Sequence, residues 1–384
     1  MTGSTARKII ALLLRLNVST ILLLGAKVPF TRGGQDVLMG SLARELKARG
    51  HEVDTVEIPF ACPPKEGLLN QVAIWRALDL RSFGGKKVDL IIATKFPSYF
   101  AKHEKKSLWL VHQHRPIYDL HAGAYSDFSD DPRDEALRRM LTTADTQAIS
   151  ECQFVSGISK NVIDRLSQYN GIQGQALYPP LPQGQAYRSE EPQEYILSVG
   201  RLCGIKRVDL LLKAMPIVAP NYKLKIVGTE DEPGVLSYLQ NETKKHSLEK
   251  RVEFLGRVDN DTLLSLYAKA FAVYYAPHDE DYGYVTLEAM ASGRPVITAH
   301  DSGGTLEFVK DGVNGIVVAP DVQAIGHGIN KLIAEPARTR TMGEQGRALM
   351  LELGLMTGGW DAVIEGLLSP LNPAHGAAAR QNLR

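Results

Sequence analysis

Residues 278–296 read HDEDYGYVTLEAMASGRPV and begin where an apolar run, residues 271–276, ends. Such a run, apolar on both faces, is what a strand buried inside a parallel sheet requires. Beyond a loop containing Gly283 and Tyr284, Leu287, Met290 and Ala291 fall on one side of a helix. Glu280 and Glu288 have seven residues between them. On one continuous helix that offset would be about two turns, but Gly283 and Tyr284 interrupt it. Glu280 is therefore expected at the carboxyl-end mouth of the strand and Glu288 in the first turns of the helix. Both carboxylates can then face the crevice outside the strand ends, where open α/β sheets bind ligands.

Around this stretch, residues 195–355 alternate apolar runs with helical patterns. Strands are expected at 196–199, 224–227, 252–255, 271–275 and 296–299, with two helices over 321–352. The stretch 200–215, GRLCGIKRVDLLLKAM, places Arg201 and Lys206 on a short loop before a helix whose apolar side carries Val208, Leu211 and Leu212. Asp259 reads as the N-cap of the helix near 263–268. Two Asp-x-Asp triplets, at 259–261 and 279–281, are not read as metal sites.

Residues 18–178 show the same alternation, with strands expected at 19–25, 53–58, 88–93, 108–112 and 154–156. Leu38, Leu42 and Leu46 recur at helical spacing between the first two. Alternation of this kind in both halves predicts an α/β chain with a parallel sheet in each. Residues 179–194, PPLPQGQAYRSEEPQE, are Pro-rich and charged and read as the linker between them. Gly33 and Gly34 stand between the first strand and its helix, where bare backbone and a helix N-terminus suit a phosphate; an ordinary tight turn explains them equally well. No Gly-x-Gly-x-x-Gly and no Gly-x-x-x-x-Gly-Lys-Ser/Thr occurs, which argues against a dinucleotide fingerprint and a P-loop. His112 ends the fourth strand and His114 follows two positions on, but no further ligand set at convincing spacing supports a metal.

The 384 residues fit two domains, and 44% hydrophobic with 23% charged residues is ordinary globular composition. A formal net charge of +1 gives no reason to expect a nucleic-acid partner. Cys62, Cys152 and Cys203 are odd in number and far apart, so a disulfide framework is not expected and a reducing cytosol fits. Residues 9–24 are mostly apolar, yet Arg15, Asn17, Ser19 and Thr20 interrupt them; a central Arg costs about 2.5–3.5 kcal/mol in a spanning helix. Residues 1–17 are read as an amphipathic or disordered extension, and 370–384 as a disordered tail. Lys102, Lys105 and Lys106 beside Phe96, Tyr99 and Phe100 suggest either contact with anionic lipid or a solvated charged face.

The central stretch resembles the retaining glycosyltransferases of family 4, within the glycosyl transferases group 1. In that family a Glu-(seven residues)-Glu pair is followed by Ala-Met-Ala-x-Gly-x-Pro-Val, which Glu280, Glu288 and residues 289–296 match. The family's Gly-Arg-x-x-x-x-Lys pattern is matched by Gly200, Arg201 and Lys206. Two departures stand out: Lys206-Arg207 replaces the usual Lys-Gly, and Tyr178-Pro179-Pro180 stands where many members carry Pro-Asn-Gly.

The resemblance implies a GT-B fold, two Rossmann-like parallel-sheet domains facing each other across a cleft. They would span 18–178 on the acceptor side and 195–355 on the donor side, with a helix over 356–369 returning to the first. It implies transfer of a sugar from a nucleoside-diphosphate sugar to an acceptor hydroxyl, with retention and without a metal or other cofactor. Arg201 and Lys206 would hold the diphosphate, with Gly33, Gly34, Gly283, Thr286, Leu287 and the Gly303-Gly304 turn lending backbone amides. Glu288 would accept from the ribose hydroxyls, Glu280 would contact the sugar, and His112, with His114 as the fallback, would lie near the anomeric centre. The acceptor would be a glycan or lipid-linked sugar of cell-envelope polysaccharide or lipopolysaccharide synthesis. The enzyme would then be cytoplasmic, with peripheral contact at the inner membrane face. A sugar-nucleotide epimerase of the same architecture, or a non-catalytic glycosyltransferase-like subunit, are the competing readings.

Overall fold

The computed structural model describes residues 18–29, 33–60, 65–121, 123 and 125–372. The expected N-terminal extension, most of the C-terminal tail and Cys62 lie outside the described residues. The chain forms two compact units: one ends at Pro179 and resumes at Trp360, and the other is Pro180–Gly359.

In the first unit, the apolar run of the first strand becomes β1 (Thr20–Lys27), six of whose eight residues are buried. Helix α1 (Gly34–Ala48) lays Leu38, Leu42 and Leu46 into the core. There follow β2 (Glu52–Pro59), α2 (Leu68–Ala77), β3 (Leu90–Lys95), β4 (Lys106–His112), α3 (Pro132–Ser150), β5 (Phe154–Gly157), α4 (Lys160–Asn170) and β6 (Gln175–Ala176). All six strands pair in parallel in the order β2-β1-β3-β4-β5-β6. Asp131 caps α3 by accepting from the Arg133 amide at 2.7 Å, with Pro132 at the first helical position, where its missing N–H costs nothing. A short antiparallel hairpin, Ser82–Phe83 with Lys86–Lys87, was not expected; its Gly84-Gly85 turn takes positive φ at both positions.

The second unit holds β7 (Tyr195–Val199), α5 (Val208–Ala214), β8 (Lys223–Val227), α6 (Val235–Lys245), β9 (Val252–Gly256), α7 (Asn260–Lys269), β10 (Ala272–Tyr274), α8 (Tyr284–Ala291), β11 (Val296–Ala299), β12 (Gly315–Val318), α9 (Val322–Ala334) and α10 (Pro336–Glu352). Its sheet is also wholly parallel, in the order β9-β8-β7-β10-β11-β12. Counted from β7, this is the doubly wound order 3-2-1-4-5-6, whose direction of winding reverses between β7 and β10. Gly228, just past β8, carries φ 145°, and a Cβ there would lie 1.8 Å from the Gly200 carbonyl oxygen. Only glycine lets these two strand ends approach so closely.

One expectation needs correction. Of the lysine–aromatic patch, Lys102 and Lys105 are exposed, but Lys106 and the aromatic rings are not at the surface. Lys106 is fully buried, and its ammonium donates to the carbonyls of Tyr99 (3.0 Å), Ala101 (3.2 Å) and Ala148 (3.0 Å) and to Glu151 (3.2 Å). Phe96, Tyr99 and Phe100 are buried beside it, so these groups brace the fold and offer nothing to lipid. The segment 180–194, which follows the boundary between the units, is held within the second of them. Its backbone bonds to Leu355, Ala268 and Lys269, and buried Arg294 donates to the Ser189 hydroxyl at 2.7 Å and to the Glu190 carbonyl. The charged and Pro-rich composition reflects this polar stapling. The return to the first unit comes at α11 (Asp361–Leu368), where the Leu367 carbonyl accepts from Ser107 at 2.7 Å and Trp360 meets Trp109 edge-on.

Asp145, on α3, is fully buried and accepts from Tyr118 at 2.8 Å, while Asn170 donates to Tyr118 at 3.2 Å. Burial pushes its carboxyl from the ordinary 3.8 up to about 7, against the Tyr118 and Tyr99 hydroxyls. The folded chain therefore holds a proton that the unfolded chain has released, and this group lowers stability as pH rises from about 4 to about 7. Asp145→Asn removes that slope. Melting temperatures at pH 5 and pH 7.5 should show the variant gaining on the wild type at the higher pH; a constant difference would refute the assignment.

Candidate functional site

Because β7 and β10 are neighbours whose connections leave in opposite directions, the loops following them part and open a crevice at their carboxyl ends. Lys206 ends a 3-10 turn, Gly204–Lys206, on the first of these loops. Glu280 lies on the second. Their side chains form an ion pair, and the Lys206 ammonium also donates to the Tyr275 hydroxyl at 3.0 Å. Burial works to lower the Lys206 pKa, but the charge of Glu280 and the bonds to Glu280 and Tyr275 overcome it and raise it above the ordinary value. The pair is thus a fixed, charged cation with its counter-charge, sited where an anionic ligand would compete for the ammonium. Arg201 goes elsewhere: it pairs with Asp231 and is 55% exposed. The structure does not bring the two expected cations onto one partner.

Arg207 settles which of the adjacent cations faces Glu280. Its backbone is left-handed, φ 53°, which turns its side chain away from that of Lys206. A glycine takes this conformation freely, whereas another residue bears about 1–2 kcal/mol. Here the guanidinium grips Asp301 with two bonds of 2.7 Å and stands 3.0 Å from His278 Nδ1. His278 Nδ1 also lies 3.3 Å from the Asp301 carboxylate, so the imidazole sits against both members of the pair. Burial raises the Asp301 carboxyl, but Arg207 holds it below the ordinary carboxylate value. With the His278 amide bonded to the Ile205 carbonyl and the Asp279 amide to that of Asp301, three strand-end loops are laced together.

Helix α8 begins at Gly283, whose φ of 84° and tight surroundings admit no side chain: a Cβ would lie 3.0 Å from the Tyr275 ring and 3.2 Å from the Thr305 hydroxyl. Thr286 donates its amide to Gly283 O, and Leu287 lies buried within the helix, so the first-turn amides without a partner among the described residues are those of Tyr284 and Val285. The Gly304 amide is taken by the Glu280 carbonyl at 2.7 Å, so it is not free for a phosphate. The buried hydroxyls of Thr286 and Thr305 have no hydrogen-bond partner among the described residues. Glu288, in the second turn of α8, accepts from the Tyr267 hydroxyl at 2.6 Å. Burial raises its carboxyl above the ordinary value, opposed by the Tyr267 and Tyr187 hydroxyls.

In the first unit, His112 ends β4 half-buried, with Nδ1 2.7 Å from the Gln113 carbonyl. His114 sits among the rings of Phe60, Phe96 and Phe128, and burial, then the charge of His112, lowers its pKa to about 4. Gly33 caps α1, but its amide donates to Asp36 at 2.7 Å, so an internal carboxylate already occupies the anion's place. No cluster of His, Cys, Asp and Glu able to hold a metal occurs among the described residues. No helix among them is long and apolar enough to cross a membrane.

Sequence reasoning missed Asp301, His278, Tyr275 and Tyr267. All act through neighbours brought together by the sheet, and none carries a local spacing signal. The Lys206-Arg207 departure was the one hint of the Asp301 clamp. If the clamp offsets the strain at Arg207, Arg207→Gly should change stability by no more than about 1 kcal/mol, since strain and pair are lost together. Asp301→Ala keeps the backbone strain but removes the two carboxylate bonds that hold the Arg207 guanidinium, and should cost about 2 kcal/mol. Urea denaturation ranks the two; equal losses would contradict the compensation.

Residues 183–349 match the family model described as glycosyl transferases group 1. An uncharacterized glycosyltransferase of Methanocaldococcus jannaschii is 26% identical over 345 residues, covering 79% of this chain and 86% of that protein. Among solved structures, sucrose-phosphate synthase from Thermosynechococcus elongatus superposes with a TM-score of 0.71 at 21% identity, over 95% of this chain and 99% of that one. HepE of Anabaena, solved in complex with UDP-glucose, gives a TM-score of 0.62 at 19% identity, over 87% and 95%. The two parallel sheets are those of the GT-B fold, and residues 183–349, within the second unit, are similar to the glycosyl transferases group 1 family.

Proposed function

We propose that this protein transfers a sugar from a nucleoside-diphosphate sugar to an acceptor hydroxyl, with retention at the anomeric carbon and without a divalent metal. The observation that carries this reading is the Lys206–Glu280 pair at the switch point of the second sheet. A diphosphate entering there would draw the Lys206 ammonium toward itself and release Glu280 to accept from sugar hydroxyls. The fixed cation would then offset the charge that grows on the leaving diphosphate, the role metals play in other transferases. The Tyr284 and Val285 amides would add donors at the N-terminus of α8, and the unpartnered Thr286 and Thr305 hydroxyls are polar groups that a bound ligand could satisfy. Glu288 is acceptor-only and suits the adjacent hydroxyls of a ribose. From the first unit the reading takes His112 as the group that serves the acceptor. No side chain is assigned as a covalent nucleophile. The resemblance supports a glycan or lipid-linked acceptor in envelope synthesis and a cytoplasmic enzyme at the inner membrane face.

A melting-temperature panel with UDP, GDP and ADP, run with and without chelator, tests this. A ligand present at a hundred times its Kd adds about 2.7 kcal/mol, a rise of roughly 5–11 °C at about 2–4 °C per kcal/mol. One of the three should stabilise the protein regardless of chelator, and Glu288→Ala should remove the rise. No rise with any nucleotide, or a rise that needs divalent metal, would refute the reading.

A further inference from the structure

We infer that Tyr267, backed edge-on by the ring of Tyr187, is a positioning residue that holds the Glu288 carboxylate and presents its second oxygen to the vicinal hydroxyls of a nucleotide ribose. The inference rests on the nucleotide-binding role proposed above for Glu288. Glu288 lies on α8, whereas the two tyrosines come from elsewhere. Tyr267 comes from α7 and is fully buried; Tyr187 comes from the segment between the last strand of the first sheet and β7 and is 6% exposed. Their rings meet edge-on at 6.0 Å. The Tyr267 hydroxyl donates to Glu288 Oε2 at 2.6 Å, while Oε1 has no hydrogen bond among the described residues. Arg347 fixes the Tyr187 backbone by donating to its carbonyl at 3.1 Å and also to the carbonyl of Ala291, on the same helix as Glu288. The Tyr187 segment thus backs the tyrosine that holds the carboxylate.

The chemistry explains the choice of residue. A glutamate has three side-chain torsions and must be held if it is to meet two hydroxyls at once. A cation would hold it too, but would compete with the ligand for the carboxylate; among the described residues Glu288 has no ion pair. A phenol donates one bond and leaves the remaining lone pairs to the ligand. The groups that face Glu288 are Tyr267 on α7, Tyr187 on the preceding segment and Tyr284 on its own helix. Burial favours the protonated carboxyl, a poorer double acceptor, and the Tyr267 and Tyr187 hydroxyls oppose this. Removing a hydroxyl should therefore both loosen the carboxylate and let it protonate at higher pH.

The experiment is calorimetric titration of the full chain with the nucleoside diphosphate that stabilises it, between pH 5 and pH 8, with melting temperature as the control for folding. In the wild type, affinity should fall on acidification as Glu288 protonates. In Tyr267→Phe that loss should begin about one pH unit higher, giving roughly tenfold weaker binding near its midpoint and a smaller deficit at pH 8. Tyr187→Phe, which leaves the α7 contact intact, should shift the same way by less. Tyrosines that serve only packing would lower the melting temperature and leave the pH profile of binding superimposable on the wild type; that result overturns the inference while the nucleotide site stands. If instead the wild type binds no nucleoside diphosphate, or Glu288→Ala binds as well as the wild type, the nucleotide reading itself falls and the inference falls with it.

Discussion

An ammonium taken out of water must be paid for by partners, and at Lys206 those partners are Glu280 and Tyr275. The remainder of the second unit serves to bring them together. Lys206 and Glu280 are 74 residues apart in sequence; the reversal of winding between β7 and β10 makes their loops neighbours. A parallel sheet without that reversal would have covered both strand ends with connections and left no crevice. The short strands, glycine-tipped at Gly200, Gly228 and Gly256, keep the backbone low around the opening.

The same logic recurs in the groups around the site. Arg207 accepts a left-handed backbone because Asp301 grips its side chain, and that grip ties together the loops bearing Lys206 and Glu280. Glu288 is held by phenols instead of a cation. On the proposed reading, the charges that would meet a ligand are held by partners that the ligand could displace or share, whereas charges that hold the scaffold are fully committed. Lys106 is the clearest of the second kind, with three carbonyls and Glu151 around one ammonium.

Much of this was legible in the sequence. The apolar runs at 196–199, 224–227 and 296–299 became strands because runs apolar on both faces suit parallel sheets and little else. The Asp259 cap followed from side-chain chemistry alone. The glutamate pair with its small-residue helix marked the site. Other features depended on partners far along the chain. The lysines near 102–106 read as a surface because nothing local shows that Lys106 points into the gap between Tyr99, Ala101 and Ala148. The 179–194 segment read as a linker because Arg294, a hundred residues on, is what staples it. Strand β6, Gln175–Ala176, escaped because two residues carry no pattern, and β12 because Gly315–Val318 opens on a glycine directly after the turn residues 312–314.

The role of Lys206 is open to direct test by phosphorus NMR of a nucleoside diphosphate titrated with the protein in the presence of chelator, comparing wild type with Lys206→Ala. If the ammonium holds the diphosphate, the wild type shifts and broadens the β-phosphorus resonance without metal, and Lys206→Ala leaves it at the free position at the same protein concentration. A β-phosphorus shift that persists in Lys206→Ala, or that arises in the wild type only after divalent metal is restored, would contradict the assignment of the switch-point pair as the diphosphate site.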